Sequence, residues 1–558
     1  MAIIMKQVSS LLKIRHNDPI EFETISKKKV MQGERLSYQV VIKGDGIGNY
    51  SFAKAWCESE LPLRLYVERE EIVDLPATED VSDDENYVTK TPGFLPDILV
   101  PIADQNDMFP LRACKGNVVL WVKIDVPTDM APGKYTVKTN VGTLIFEETA
   151  TRLDVCESVE MEIEVVEAVV PKQKLVYTRW FYADCIADVH QTEIFSERHW
   201  QLIESYIAAA ADVGINMILT PIHTPPLDTE IGKTRPCVQL VDIEKKGDLY
   251  EFNFDKFSRF VAICKKNGIE YFEMAHLFSQ WGSKCAPNIK VTENGKTDYM
   301  FGWHVAADSV EYRSFLKQYI AAIAAQLEKE GIAENTYFHV SDEPDLSNME
   351  KYETAYNIIK PLIGNSKTLD ALSHVEFYQK GFVENPVPSV RAVHEFIDAK
   401  VDTLWTYYCC GPQKIYTNSF LALPSARVRI LGFLLYKYDI KGFLHWGFNF
   451  YNCDHSRYNI NPYNTSSADG AFPSGDGFIV YPGLNGAYGS IRGEVTYQAI
   501  EDMRICSALE ALIGKDAVVA MIDKAAGRNL RFDDYPCSNE FLENLRDEIR
   551  NAIIEAKK

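Results

Sequence analysis

The sequence predicts a multidomain chain: an N-terminal antiparallel β-sandwich, a (β/α)8 TIM barrel and a C-terminal helical extension. Three observations predict it. Residues 1–170 carry short alternating apolar runs punctuated by Gly, Pro, Asn and Asp, the mark of antiparallel strands. After Pro171 apolar runs alternate with amphipathic helical stretches, and the chain closes on a charged helical stretch at 539–557. With 558 residues and 46% apolar content the chain exceeds one ordinary core and suits two or three domains. The boundaries expected are 1–170 for the sandwich, 171–514 for the barrel and 515–558 for an extension packed on the barrel.

In the first segment, 37–43, 62–68, 116–127 and 133–140 read as strands. It gathers no constellation of chemical groups, which suits a supporting or carbohydrate-contact module. In the second segment strands are expected at 174–180, 216–223, 271–276, 337–340, 368–373, 401–408, 442–450 and 477–481. The helices between and after them fall at 196–213, 254–267, 308–330, 348–362, 388–398, 424–438 and from about 490. Eight such units are what a (β/α)8 barrel requires. A doubly wound sheet would carry fewer units and a phosphate-binding glycine pattern, and no G-x-G-x-x-G is present. No cofactor is expected.

The net charge of −21 and the lack of an arginine-rich arm argue against nucleic acid as a partner. The 12 cysteines are scattered, with one adjacent pair, Cys409 and Cys410, and no C-x-x-C, which fits neither a zinc knuckle nor a disulfide-rich module. No apolar run approaches the roughly 20 residues of a membrane span, and the opening run is too short for a signal peptide. A cytoplasmic location follows as the expectation.

In a (β/α)8 barrel the chemistry sits at the C-terminal ends of the strands. There the fourth strand runs Y-F-H-V-S-D-E-P-D and delivers two adjacent acids, Asp342 and Glu343. Neighbouring side chains on a strand point to opposite faces, so the pair converges only where the backbone turns; Pro344 is expected to hold Glu343 extended there. The plain alternative is a solvated helix start, since Ser and Asp are ordinary N-caps. Two acids about 5 to 9 Å apart serve ordinary glycoside hydrolysis, with Glu273 as a second acid across the barrel in that case. Immediate neighbours suit another division of labour, in which a substrate acetamido oxygen is the nucleophile, one acid orients it and the other moves the proton.

His223, His276 and His339, near the ends of the second to fourth strands, could with Asp342 compose a metal-hydrolase centre, but H-E-x-x-H and H-x-H patterns are missing. As wall residues or partners of sugar hydroxyls, His223 and His339 fit better. Trp405 and Tyr407 on one strand, Trp446 and Asn449 on the next, and Tyr481 at the end of the last supply rings and amides of the kind that suit a sugar's flat C–H face and hydroxyl rim. Trp180, Tyr182 and Asp184 hold the equivalent place after the first strand. Trp281 and Trp303 lie in a long excursion able to cover the mouth. Asp476 precedes the last predicted strand and reaches the site only if its loop bends back.

H-V-S-D-E-P at 339–344, G-F-L-H-W-G-F-N-F-Y at 442–451, G-D-G-F-I-V-Y-P-G at 475–483 and S-I-R-G-E at 490–494 occur in an order that resembles glycoside hydrolase family 123, the N-acetyl-β-galactosaminidases. The resemblance covers most of the chain. It implies a retaining, metal-free mechanism through an oxazolinium intermediate on β-linked N-acetylgalactosamine at the end of a glycan. By position, Asp342 would orient the acetamido group and Glu343 would act as general acid and base. Tyr407, Trp446 and Asn449 would bind the sugar. A non-catalytic carbohydrate-binding protein, a conventional glycosidase and a metal-dependent hydrolase are the alternatives.

Overall fold

The computed structural model describes residues 2–45, 51–105, 107–111, 116–146, 151–280 and 282–557. A pair of sheets packs face to face in the N-terminal region. In spatial order one runs Ala2–Ser9, Arg35–Asp45, Val118–Asp125, Leu63–Val73 and Gly93–Pro101. The other runs Lys27–Gln32, Thr151–Val169, Gly133–Phe146, Ser51–Glu58 and Met108–Leu111. Pairing is antiparallel except where Lys27–Gln32 lies parallel to Thr151–Val169. Alternate residues fill the space between the sheets: Tyr38, Val40 and Ile42 from one, Val137, Val141 and Met161 from the other.

The barrel has eight parallel strands: Val176–Arg179, Met217–Thr220, Tyr271–Met274, Thr336–Phe338, Lys367–Ala371, Asn385–Val387, Trp405–Tyr407 and Gly442–His445. The ring closes between the sixth and seventh, where Tyr407 N–H donates to Pro388 O (3.0 Å) and Val390 N–H to Tyr407 O (2.9 Å). The number of strands agrees with the sequence reading, but two identities differ. The sixth strand is the three-residue Asn385–Val387, too short to show a period. The run at 477–481 is no barrel strand: Tyr481–Pro482 pairs with Ala487–Ser490, which joins the sandwich sheet beside Gly93–Pro101.

Serine caps open four of the long helices. Ser196, Ser309, Ser490 and Ser538 accept from the backbone N–H three residues on, opening Glu197–Asp212, Val310–Glu330, Ile491–Ile513 and Asn539–Ala556. The loops after the second and third strands carry hairpins, Asp242–Lys246 with Leu249–Asn253 and Ile289–Glu293 with Lys296–Phe301, which pair side by side into a separate four-stranded sheet.

Buried ion pairs join sandwich to barrel. Lys123 reaches Asp212 (2.5 Å) and Glu494 (2.6 Å), and Arg35 reaches Asp212 (3.0 Å). Arg492 binds Asp97 (3.0 Å). In the last helix Arg546 bonds Glu501 (3.0 Å), Asp502 and Glu34, and Glu543 accepts from Ser9 (2.5 Å), so that helix touches both the sandwich and the barrel. Such pairs are costly to desolvate and strongly destabilising to break singly, so they fix how sandwich and barrel dock. Among the described residues no helix is long and apolar enough to cross a membrane.

Candidate active site

Beyond Phe338 the fourth strand keeps backbone bonds on one side, Leu277 N–H to His339 O and Phe278 N–H to Val340 O (3.2 Å each), and gains side-chain bonds. Val340 N–H donates to both oxygens of Asp370 (3.0 and 3.2 Å), and Ser341 Oγ donates to Ser279 O (3.0 Å). The chain then turns at Glu343, whose φ of +42° is left-handed rather than the extended form expected from Pro344. A non-glycine residue there carries roughly 1 to 3 kcal/mol of strain, held by the surrounding structure. The turn lets two sequence neighbours serve one cleft. The helix start lies further on: Asp345 accepts from Ser347 N–H (2.6 Å), so neither Asp342 nor Glu343 is spent on a cap.

The cleft holds about 160 Å³ and opens at the C-terminal mouth of the barrel. Asp342 and Glu343 line it together with Trp180, Tyr182, Tyr407, Cys409, Trp446 and Phe472. Tyr407 donates its hydroxyl proton to Glu343 Oε1 at 2.5 Å. Trp446 is aimed by Asp476, whose buried carboxylate accepts from the indole N–H (2.8 Å) and from His445 Nε2 (3.2 Å). His445 Nδ1 accepts from Gly447 N–H (2.9 Å), which leaves the proton on Nε2. The Asp476 loop does bend back, and Gly447 lets it: a Cβ there would lie 2.6 Å from the carbonyl oxygens of Asp476 and Gly477.

Charge is layered beneath the acids. His339, fully buried, places Nε2 2.7 Å from Glu273 and Nδ1 3.3 Å from Asp370. Burial opposes a charged imidazole, but hydrogen bonds to Asp370 and Glu273 overcome it and carry His339 up to about 9. His276 stacks on it with ring centroids 4.1 Å apart; burial and that neighbouring charge hold His276 well below the usual histidine range. Burial first, and then the charge of Glu343, push the Asp342 carboxyl well above the usual carboxylate range, while His339 pulls the other way. At the rim, burial and then Asp454 push Asp228 up to about 6.

Of the residues singled out in the sequence, Asp342, Glu343, Trp180, Tyr182, Tyr407 and Trp446 meet at the cleft. The structure puts the others elsewhere. His339 forms the floor beneath the cleft, and His223 is buried with Nε2 against His276 O (2.9 Å). Asn449 spends its amide on the backbone of Tyr182, accepting from N–H and donating to O at 2.9 Å each. Trp405 lies two residues below Tyr407, buried against Tyr337 and over the Cα of Gly442, where a side chain would strike its ring. Tyr481 is buried at the sandwich seam, donating to Asp97 (2.6 Å). Trp281 lies outside the described residues; Trp303 donates to Lys233 O (3.0 Å) and does not line the cleft.

Glu273 also stays below. Its oxygens accept from Thr178, from Trp180 Nε1 (3.2 Å) and from His339. His276, His339 and Asp370 stand close enough together for a metal ion, but both nitrogens of His339 face carboxylates. As an imidazolium it has no lone pair to offer. Sequence reasoning missed Asp228 and Gln280, adjacent cleft residues joined by a bond from Asp228 N–H to Gln280 Oε1 (2.7 Å). Both sit in long loops, where no periodicity marks them.

Two carboxyls in an aromatic-walled cleft at the C-terminal mouth of a (β/α)8 barrel fit a carbohydrate-active hydrolase. Residues 180–509 match the glycoside hydrolase 123 catalytic domain. The chain belongs to glycoside hydrolase family 123 and is a glycoside hydrolase. A family 123 glycoside hydrolase from Clostridium perfringens, whose structure was solved for the details of glycolipid glycan hydrolysis, shares the fold. The match has a TM-score of 0.70 at 13% identity and covers 100% of this chain and 98% of that one. AggA, a fimbrial subunit from Escherichia coli, overlaps 29% of this chain and 94% of its own at 8% identity and a TM-score of 0.14, too low to carry an argument. No curated protein matches the chain in sequence.

Proposed function

We propose that the chain is a retaining N-acetyl-β-galactosaminidase working by substrate assistance. The acetamido oxygen of the bound sugar attacks the anomeric carbon while Glu343 gives its proton to the leaving oxygen. Asp342 accepts from the acetamido N–H and balances the positive charge of the oxazolinium ring. Glu343, now a carboxylate, takes a proton from the water that reopens the ring. The observation that carries this reading is the turn at Glu343, which gives two adjacent carboxyls one cleft and different surroundings.

Asp342, desolvated beside another acid, keeps its proton at higher pH than an ordinary aspartic acid. A bound acetamido group that donates to it and turns cationic favours its ionised form, so substrate binding draws Asp342 toward the carboxylate this role requires. A conventional two-acid mechanism would need Glu273, which is committed to Thr178, Trp180 and His339. The galacto preference and the glycan, a glycolipid headgroup among the options, come from family membership and the Clostridium relative. A cytoplasmic location belongs to the same proposal, supported by the free state of the ten cysteines among the described residues, of the kind a reducing compartment maintains.

The test is a pair of variants on aryl β-N-acetylgalactosaminides. Glu343→Gln should lose turnover most on poor leaving groups, which need the proton. Asp342→Asn should lose it on good and poor leaving groups alike, because the ring-forming step itself is impaired. Full activity of either variant on poor leaving groups would overturn the assignment.

A further inference from the structure

The chain leaves the seventh strand through Tyr407 and Tyr408 into Cys409 and Cys410, and both cysteines line the cleft, Cys409 half-buried and Cys410 exposed. Their sulfurs lie 3.8 Å apart. The backbone around them is held: Cys409 N–H donates to Gly411 O (2.9 Å), Cys409 O accepts from Asn418 (2.9 Å), and Cys410 O accepts from Gln413 (2.9 Å). Nothing in the hydrolytic chemistry uses either thiol. An adjacent thiol pair on an active-site wall, with one member open to solvent, is nonetheless a distinct chemical group.

We propose that Cys409 and Cys410 are a reversible oxidation site, at which a small-molecule disulfide converts the pair to a vicinal disulfide and impairs the cleft. The effect on turnover rests on the sugar-hydrolysing reading of that cleft. In the first step the Cys410 thiolate attacks one sulfur of the reagent, forming a mixed disulfide and releasing one thiolate. In the second the Cys409 thiolate attacks Cys410 Sγ, forming the Cys409–Cys410 bond and releasing the other half of the reagent. The two protons lost by the cysteines protonate the two released thiolates. The cysteines are oxidised by two electrons and the reagent is reduced to two thiols. Exposure sets the order: Cys410 meets solvent and reacts first, while half-buried Cys409, its sulfur 3.8 Å away, is placed to close the ring in the second step.

Adjacent Cα atoms stand about 3.8 Å apart, closer than the roughly 4.4 to 6.8 Å of ordinary disulfides, so such a ring is strained and easily reduced. Closing it draws the sulfurs from 3.8 Å to about 2.05 Å, two residues from the tyrosine that bonds Glu343. Displacements of that size beside reacting groups cost on the order of tenfold to a hundredfold in turnover.

The test treats the full chain with oxidised glutathione, maps its peptides by mass, and measures kcat/KM on an aryl β-N-acetylgalactosaminide before and after dithiothreitol. The expected result is an internal disulfide in the peptide holding both cysteines, a loss of on the order of tenfold or more, and recovery on reduction. Cys410→Ser should keep its own untreated rate under the same treatment. Free thiols throughout, a glutathione adduct that goes no further, or an internal disulfide without loss of turnover would each overturn the proposal. An untreated protein that fails to cleave the substrate counts against the proposed function alone, and the mapping still decides whether the oxidation site exists.

Discussion

Asp476→Asn is the change that most cleanly separates holding a cleft wall from doing chemistry. The Asp476 carboxylate accepts two hydrogen bonds, from Trp446 Nε1 at 2.8 Å and from His445 Nε2 at 3.2 Å. Both partners are donors in this arrangement, since indole only donates and His445 Nδ1 is already an acceptor for Gly447 N–H. Burial holds His445 down at about 4, so it stays neutral and keeps that tautomer through the working range. An asparagine offers one accepting oxygen and one donating amide, and so can satisfy only one of the two. The lost hydrogen bond to a charged acceptor is worth about 1.5 to 3 kcal/mol, and a buried N–H is left facing an N–H. The indole then loses its fixed direction. We expect urea unfolding to show a stability loss of about 1.5 to 3 kcal/mol, tryptophan fluorescence to shift, and kcat/KM to fall about tenfold through KM more than kcat. An Asp476→Asn protein with wild-type stability, fluorescence and KM would refute the claim that this carboxylate aims Trp446.

Tyr407→Phe removes the hydroxyl that donates to Glu343 and little else; a bond to a charged acceptor at 2.5 Å implies a fall of roughly tenfold to a hundredfold in kcat/KM on poor leaving groups, read by steady-state kinetics. His339 is raised to about 9 when folded, so its contribution to stability is complete below the ordinary histidine value of about 6.5 and disappears as pH rises through 9. The unfolding free energy from urea titrations should therefore fall between pH 6.5 and pH 9.5, by up to about 3 kcal/mol, and the slope should flatten in His339→Gln.

The features of the fold that sequence reveals are those with a local cause. Ser196, Ser309, Ser490 and Ser538 mark helix starts because a hydroxyl at that place satisfies a backbone donor within the same turn. The strand Asn385–Val387 was hidden because three residues show no alternation, and residues 477–481 misled because an apolar run does not say which sheet it will join. The same divide holds at the cleft. Asp342, Glu343, Tyr407 and Trp446 come from strand ends, which barrel geometry directs to the mouth. Asn449 and Tyr481 carry the same polar and aromatic signal but are consumed by Tyr182 and Asp97, partners more than 260 residues away in sequence. Asp228, Gln280 and Phe472 reach the cleft from long loops whose course depends on tertiary packing.

The central claim is that the sugar's own acetamido oxygen is the nucleophile, with Asp342 steering it and Glu343 moving the proton. The most direct measurement compares kcat/KM for one aryl β-galactosaminide carrying N-acetyl, the same compound carrying the electron-poor N-trifluoroacetyl, and the plain β-galactoside. The account predicts a fall of on the order of a hundredfold for trifluoroacetyl, about 2.7 kcal/mol in barrier, and little or no cleavage of the galactoside. Equal rates on all three would contradict it.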